Sequence, residues 1–143
     1  KVMLGQTAEK FIHHYQVLPQ RREDPERLEP ALEAHQERFG HSPDVLAADK
    51  GFYQNMGQID SRQAKIPTVS IPKKGRRNVQ EKERETCDAF VSGQRFRAGV
   101  EGSISVLKRA FKLGCCLFKG FRHYAASVGL AVLCHNLVLL TRL

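Results

Sequence analysis

Apolar and polar positions along the 143-residue chain change period several times, and each change predicts an element. "KVMLG" and "FIHHYQVLP" have the β-branched and aromatic content of strands, and polar "QTAEK" between them reads as a turn, so the chain opens on a predicted hairpin. "DPERLEPALEAHQERFG" takes a helical period, with Asp24 as N-cap, Pro25 in the first turn and Leu28, Leu32 and His35 on one face. Pro30 interrupts that pattern and either kinks the first turn or marks the start of the main helix. Gly40 ends it. "PDVLAAD" is a short apolar run suited to a buried strand that finishes on Asp49. "GFYQNMGQIDSRQAK" reads as a loop and short helix, and "PTVSIP" as a brief strand between prolines. "KKGRRNVQEKERE" is charged, broken by glycine and expected to be exposed. Two helices, about 94–113 and about 122–142, are expected to close the chain. This order of elements predicts an α/β domain, a mixed sheet with helices packed on it.

The last helical run, Tyr124 to Leu140, raises the question of a membrane. It is short for a span of about 20 apolar residues and contains Ser127, His135 and Asn136, so a buried core helix and no membrane partner are expected. An apolar content of 41% and a charged content of 27% also suit a soluble globular domain. The four cysteines match no zinc-finger or disulfide spacing and read as reduced, semi-buried thiols. No signal-peptide pattern is visible, which points to the cytoplasm.

Charge changes the picture more. Residues 1–72 carry 9 Lys+Arg against 10 Asp+Glu, whereas residues 73–143 carry 14 against 5. A neutral half followed by a strongly basic one suggests that the second half meets a polyanion such as nucleic acid. Within it, "QRFRAGVEGSISVLKRAFK" holds five cations and one acid, Glu101. On a helix of about 100° per residue, Arg97, Glu101 and Lys108 fall within about 40° of one another. They border an apolar stripe of Val100, Ile104, Leu107 and Phe111. An i,i+4 pair between Arg97 and Glu101 accounts for one cation and leaves the other unexplained. Asp49, at the carboxyl end of a predicted strand, is in the position where open α/β sheets bind ligands, although such residues also serve as plain turn caps. Two carboxylates converging beside a basic surface would suit Mg²⁺-dependent phosphoryl transfer.

"VLAADKGFY", "VSIPKKGRR", "RFRAGVEGSISVLKRAF" and "HYAASVGLAVLCHNLVLLTRL" together resemble the catalytic domain of bacterial insertion-sequence DDE transposases. That family carries the signature Tyr, two residues, Arg, three residues, Glu, six residues, Lys. Arg97, Glu101 and Lys108 keep its spacing, and Gln94 stands at the Tyr position. The resemblance implies an RNase H-like fold and assigns Asp49 and Glu101 as the second and third catalytic acids, ligands of Mg²⁺ or Mn²⁺. It makes Arg97 and Lys108 contacts to transposon DNA. Lys73, Lys74, Arg76 and Arg77 of the basic loop, and Lys50 beside Asp49, are further candidates for contacts to double-stranded DNA. The family's first catalytic Asp and first strand have no counterpart here, so the expected domain is a partial one. Residues 1–72 would be its hairpin, helix and strands, and residues 73–143 its basic loop and two helices. It would act at the bacterial nucleoid, with homodimerisation left open. The other reading of the same residues is a DNA-binding remnant without catalysis.

Overall fold

The computed structural model describes residues 1–18, 25–115, 117 and 119–142. The chain is a mixed α/β protein in two compact units, one formed by residues 1–21 with 99–143 and the other by residues 22–98.

In the first unit, strands β1 (Val2–Gln6) and β2 (Ile12–Val17) form the expected antiparallel hairpin. Thr7 N–H donates to Phe11 O at 2.9 Å and Lys10 N–H to Thr7 O at 3.0 Å, which closes the turn, and the register shifts between Gly5 and Gln6. Helix α5 (Phe121–Leu140) is pinned to this hairpin by Asn136, whose side chain accepts from Ile12 N–H and donates to Ile12 O, both at 3.0 Å. An amide that satisfies both groups of one strand residue acts as a substitute for a neighbouring strand. Ile12, Leu107, Ala131 and Val132 form the core of this unit, with Leu4, Phe111 and Leu113 packed around it.

The expectation that α5 is a buried core helix holds for one face only. Val128, Ala131, Val132 and His135 are buried, whereas Leu130, Leu133, Leu137 and Leu140 are each more than half exposed. Those leucines recur at spacings of three, four and three and so line one outer face. The helix is long and apolar enough to cross a bilayer, a test that core helices of soluble proteins also pass.

In the second unit, a 3₁₀ turn (Pro25–Arg27) leads into α1 (Leu28–Phe39). Asp24, the expected cap, lies outside the described residues, and the residue at the cap position of α1 is Arg27, without a side-chain cap. Pro30 is the third residue of α1, where no intrahelical N–H bond exists to be lost, so the helix runs through it. Gly40 ends α1 in the left-handed region at φ 78°, its N–H donating to Gln36 O. Strand β3 (Val45–Ala47), helix α2 (Met56–Gln63) and strand β4 (Thr68–Ser70) form a unit in which the two strands pair in parallel. Leu28, Ile59, Ile66, Val69 and Ile71 are its core. Val45 is exposed, contrary to the buried strand expected.

Two differences from the sequence reading stand out. Among the described residues β1 pairs with β2 and β3 with β4, giving two two-stranded sheets in place of one mixed sheet. Hairpin turn and β–α–β crossover each fix a pair locally, and no further described strand joins them. The charged stretch after residue 72, expected to be exposed, contains helix α3 (Val79–Thr86), in which Glu81 is buried. Its start is a capping box: the Asn78 side chain accepts from Glu81 N–H, and the Glu81 carboxylate accepts from Asn78 N–H. Helix α4 (Asp88–Arg109) begins six residues before the expected start at 94 and ends four before the expected end at 113.

Candidate functional site

Asp49 stands two residues beyond β3, and the ladder extends past the strand through Ala48 N–H to Ser70 O at 3.1 Å. The chain then turns into a short 3₁₀ segment, Lys50–Phe52, and Asp49 is its N-cap, with Oδ1 accepting from Lys50 N–H at 2.6 Å. The plain capping role therefore exists. It uses one carboxylate oxygen. The side chain is exposed, and its second oxygen makes no hydrogen bond among the described residues.

The strand ends beside Asp49 are held by α4. Gly93 brings the helix so close to β4 that a Cβ there would lie 2.6 Å from Ser70 Cβ. Ser70 Oγ donates to Phe90 O at 2.7 Å. Gln94 Nε2 donates to Ser70 O at 2.7 Å and reaches Ser70 Oγ at 3.0 Å and Ala48 O at 3.4 Å. One amide thus spans the carboxyl ends of both parallel strands, immediately before Asp49. Sequence reasoning registered Gln94 only as a departure from a tyrosine; no pattern within one sequence marks an amide as a clasp.

Farther along α4 the expected apolar stripe is present in part, with Leu107 fully buried and Val100 and Ile104 partly so, whereas Phe111, also partly buried, lies beyond the helix end. Arg97 is half-buried and Glu101 exposed. Glu101 lines a shallow cleft of about 370 Å³ together with Ile104, Ser105, Lys108 and Arg109. Asp49 and Arg97 belong to the unit of residues 22–98, and Glu101 and Lys108 to the other.

The basic loop divides its cations. Lys73 Nζ lies 2.6 and 2.7 Å from the two oxygens of Glu81, a side chain only 2% exposed. Lys73 N–H donates to Glu85 Oε1 at 2.7 Å, and Arg77 Nε pairs with Glu85 Oε2 at 2.6 Å. Lys74 and Arg76 are exposed and make no ion pair among the described residues. Tyr53, which closes the turn that Asp49 opens, donates its hydroxyl to Glu81 Oε1 at 3.2 Å. The Lys73 hydrogen bond holds the Glu81 carboxyl below the usual carboxylate range against the opposing effect of burial. Burial, then the Glu81 hydrogen bond, raises the Tyr53 phenol. A depressed carboxylate contributes stability that is full above its ordinary value, 4.5, and is lost as pH falls through the lower folded value. The thermal midpoint of Glu81→Gln should accordingly lie furthest below that of the wild type above pH 4.5, the gap narrowing in more acid solution. A gap independent of pH would mean that Glu81 does not titrate there.

Among the described residues no three His, Cys, Asp or Glu side chains gather as a metal cage. Mg²⁺ takes one or two carboxylates and completes its shell with water and phosphate oxygens, and Asp49 and Glu101 are exposed donors of that chemistry. Cys87 and Cys115, expected to be semi-buried, are exposed thiols, and Cys134 is partly buried. Comparison with protein-family models, curated proteins and solved structures finds no match to this chain.

Proposed function

We propose that the chain is the carboxy-terminal part of a DDE transposase catalytic domain of the bacterial insertion-sequence type, RNase H-like in fold and acting on double-stranded DNA at the nucleoid. The observation that carries this reading is the docking of α4 on the carboxyl ends of β3 and β4. Asp49 stands at that edge, and the docked helix is the one that bears Arg97, Glu101 and Lys108 at the family spacing.

In this reading Asp49 and Glu101 would hold Mg²⁺ or Mn²⁺, which would supply activation of an attacking oxygen and stabilisation of a leaving one at phosphorus. The chain's own cations Lys50, Lys74, Arg76, Arg97 and Lys108 grip phosphates and carry no base information. Gln94 keeps the strand ends, and so the backbone that bears Asp49, in place. With two of the family's three acids, the chain alone binds DNA and does not cut or join it. That makes the non-catalytic remnant the second reading, with the same surface.

Mn²⁺ titration followed by paramagnetic broadening of NMR signals tests the metal assignment without recourse to activity. Asp49→Asn and Glu101→Gln should each weaken binding, and the double variant should be little worse than either, because both remove ligands of one ion. Additive losses, or affinity unchanged in both single variants, would remove Asp49 and Glu101 as partners in one site. Mg²⁺-dependent nicking by the purified chain, abolished in Glu101→Gln, would show that another residue serves as the first acid.

A further inference from the structure

Glu81 is a carboxylate buried in a segment whose composition is that of a solvated loop. Burying an ionised group is costly unless it is paired and hydrogen-bonded, and this one is fully engaged. Its Oε1 meets Lys73 Nζ and the Tyr53 hydroxyl, and its Oε2 meets Lys73 Nζ and Asn78 N–H. These contacts come from three places in the chain: the start of the basic loop, the cap of α3, and the turn after Asp49. We infer that Glu81 is a positioning residue that fixes the loop of residues 73–78 relative to the Asp49 turn, so that Lys74 and Arg76 present a prearranged grip for phosphate groups.

The division of cations follows from the same geometry. Lys73 is drawn inward by Glu81, and Arg77, although exposed, is paired with Glu85; a cation committed to a largely buried carboxylate has little charge to offer a phosphate. Between them Gly75 takes φ 93°, a value that side chains disfavour, at a bend whose flanking residues Lys74 and Arg76 are exposed. Loop and turn share one anchor, since Tyr53 both donates its hydroxyl to Glu81 and closes the 3₁₀ segment with its N–H on Lys50 O at 3.2 Å. Glu81 thereby joins the gripping loop to the backbone of a candidate metal ligand. The identity of the ligand as DNA rests on the transposase reading; the role of Glu81 as a joint does not.

Amide hydrogen exchange on the full chain tests the joint, and duplex binding tests the grip. In Glu81→Gln the amides of Lys73, Phe52 and Tyr53, none of which bonds Glu81 directly, should lose protection together. Tyr53→Phe removes a single hydroxyl and should keep the fold, with loss confined to Phe52 and Tyr53. It decides the question alone if Glu81→Gln does not fold. Unaltered exchange at the Asp49 turn in these variants overturns the coupling. In titrations of a short duplex of arbitrary sequence at several salt concentrations, Lys74→Ala and Arg76→Ala should each lower the salt slope by about one. Lys73→Ala and Arg77→Ala should change it less. An equal drop for Lys73→Ala with loop protection intact overturns the division of cations. A wild-type chain with no affinity for the duplex overturns the grip and the transposase reading together, while the exchange result still judges Glu81.

Discussion

Gly93→Ala is expected to destabilise the chain by about 1–3 kcal/mol, the cost of adding a methyl group to a close-packed contact. The added Cβ would meet Ser70 Cβ at 2.6 Å and Ser70 Oγ at 2.9 Å, well inside van der Waals separation. Neither atom can swing aside, because Ser70 is fully buried in β4 and its hydroxyl is committed to Phe90 O. Relief therefore requires α4 to lift from the strand ends, which would lengthen the Gln94 bonds to Ser70 and Ala48. Two other glycines of the same helix provide the contrast. At Gly99 and Gly102 a Cβ would meet no neighbour within 4 Å among the described residues. There the gain in helix propensity, about 0.8–1.0 kcal/mol for each Ala, should appear as added stability. Urea midpoints at constant slope measure all three. A Gly93→Ala protein as stable as the wild type would mean that α4 does not lie against β4 as described.

That contrast also shows what the sequence could convey. Gly99 and Gly102 fall inside the expected helix and Gly93 just before its expected start, and spacing on one helix does not reveal which of them meets another element. The hairpin was legible because the β-branched and aromatic content of "KVMLG" and "FIHHYQVLP" is a local signal, and its turn needs no distant partner. Asp49 and the Arg97, Glu101 and Lys108 face were legible for the same reason: strand end and helical period are properties of neighbouring residues. Helix α3 was present in the sequence as Asn78 followed three residues later by Glu81, a capping signature obscured by the surrounding charge. Burial of Glu81 was not readable, since it depends on Tyr53 and Lys73 arriving from elsewhere. The outward leucines of α5 were missed because a helix apolar on nearly every side does not show by periodicity which face is covered.

Affinity for duplex DNA should fall by about 500-fold between 50 and 200 mM salt, taking five phosphate contacts and a slope of about 0.9 for each. The five are Lys50, Lys74 and Arg76, with Arg97 and Lys108 taken from the family spacing; Lys73 and Arg77 are set aside for their ion pairs with Glu81 and Glu85. Counting the whole basic loop would add two contacts and raise the loss to about 6,000-fold, so the salt slope itself discriminates between the two assignments. The overall charge of +8 ensures some nonspecific attraction, but diffuse attraction without contact is not sensitive to single substitutions. Lys108→Ala should therefore lower the slope by about one while leaving any preference between sequences unchanged, as phosphate contacts carry no base information. Anisotropy titrations of two unrelated duplexes at four salt concentrations would give both quantities. A steep slope that Lys108→Ala, Lys74→Ala and Arg76→Ala all leave intact would assign the attraction to general charge. A shallow slope in the wild type would remove the phosphate-gripping surface altogether.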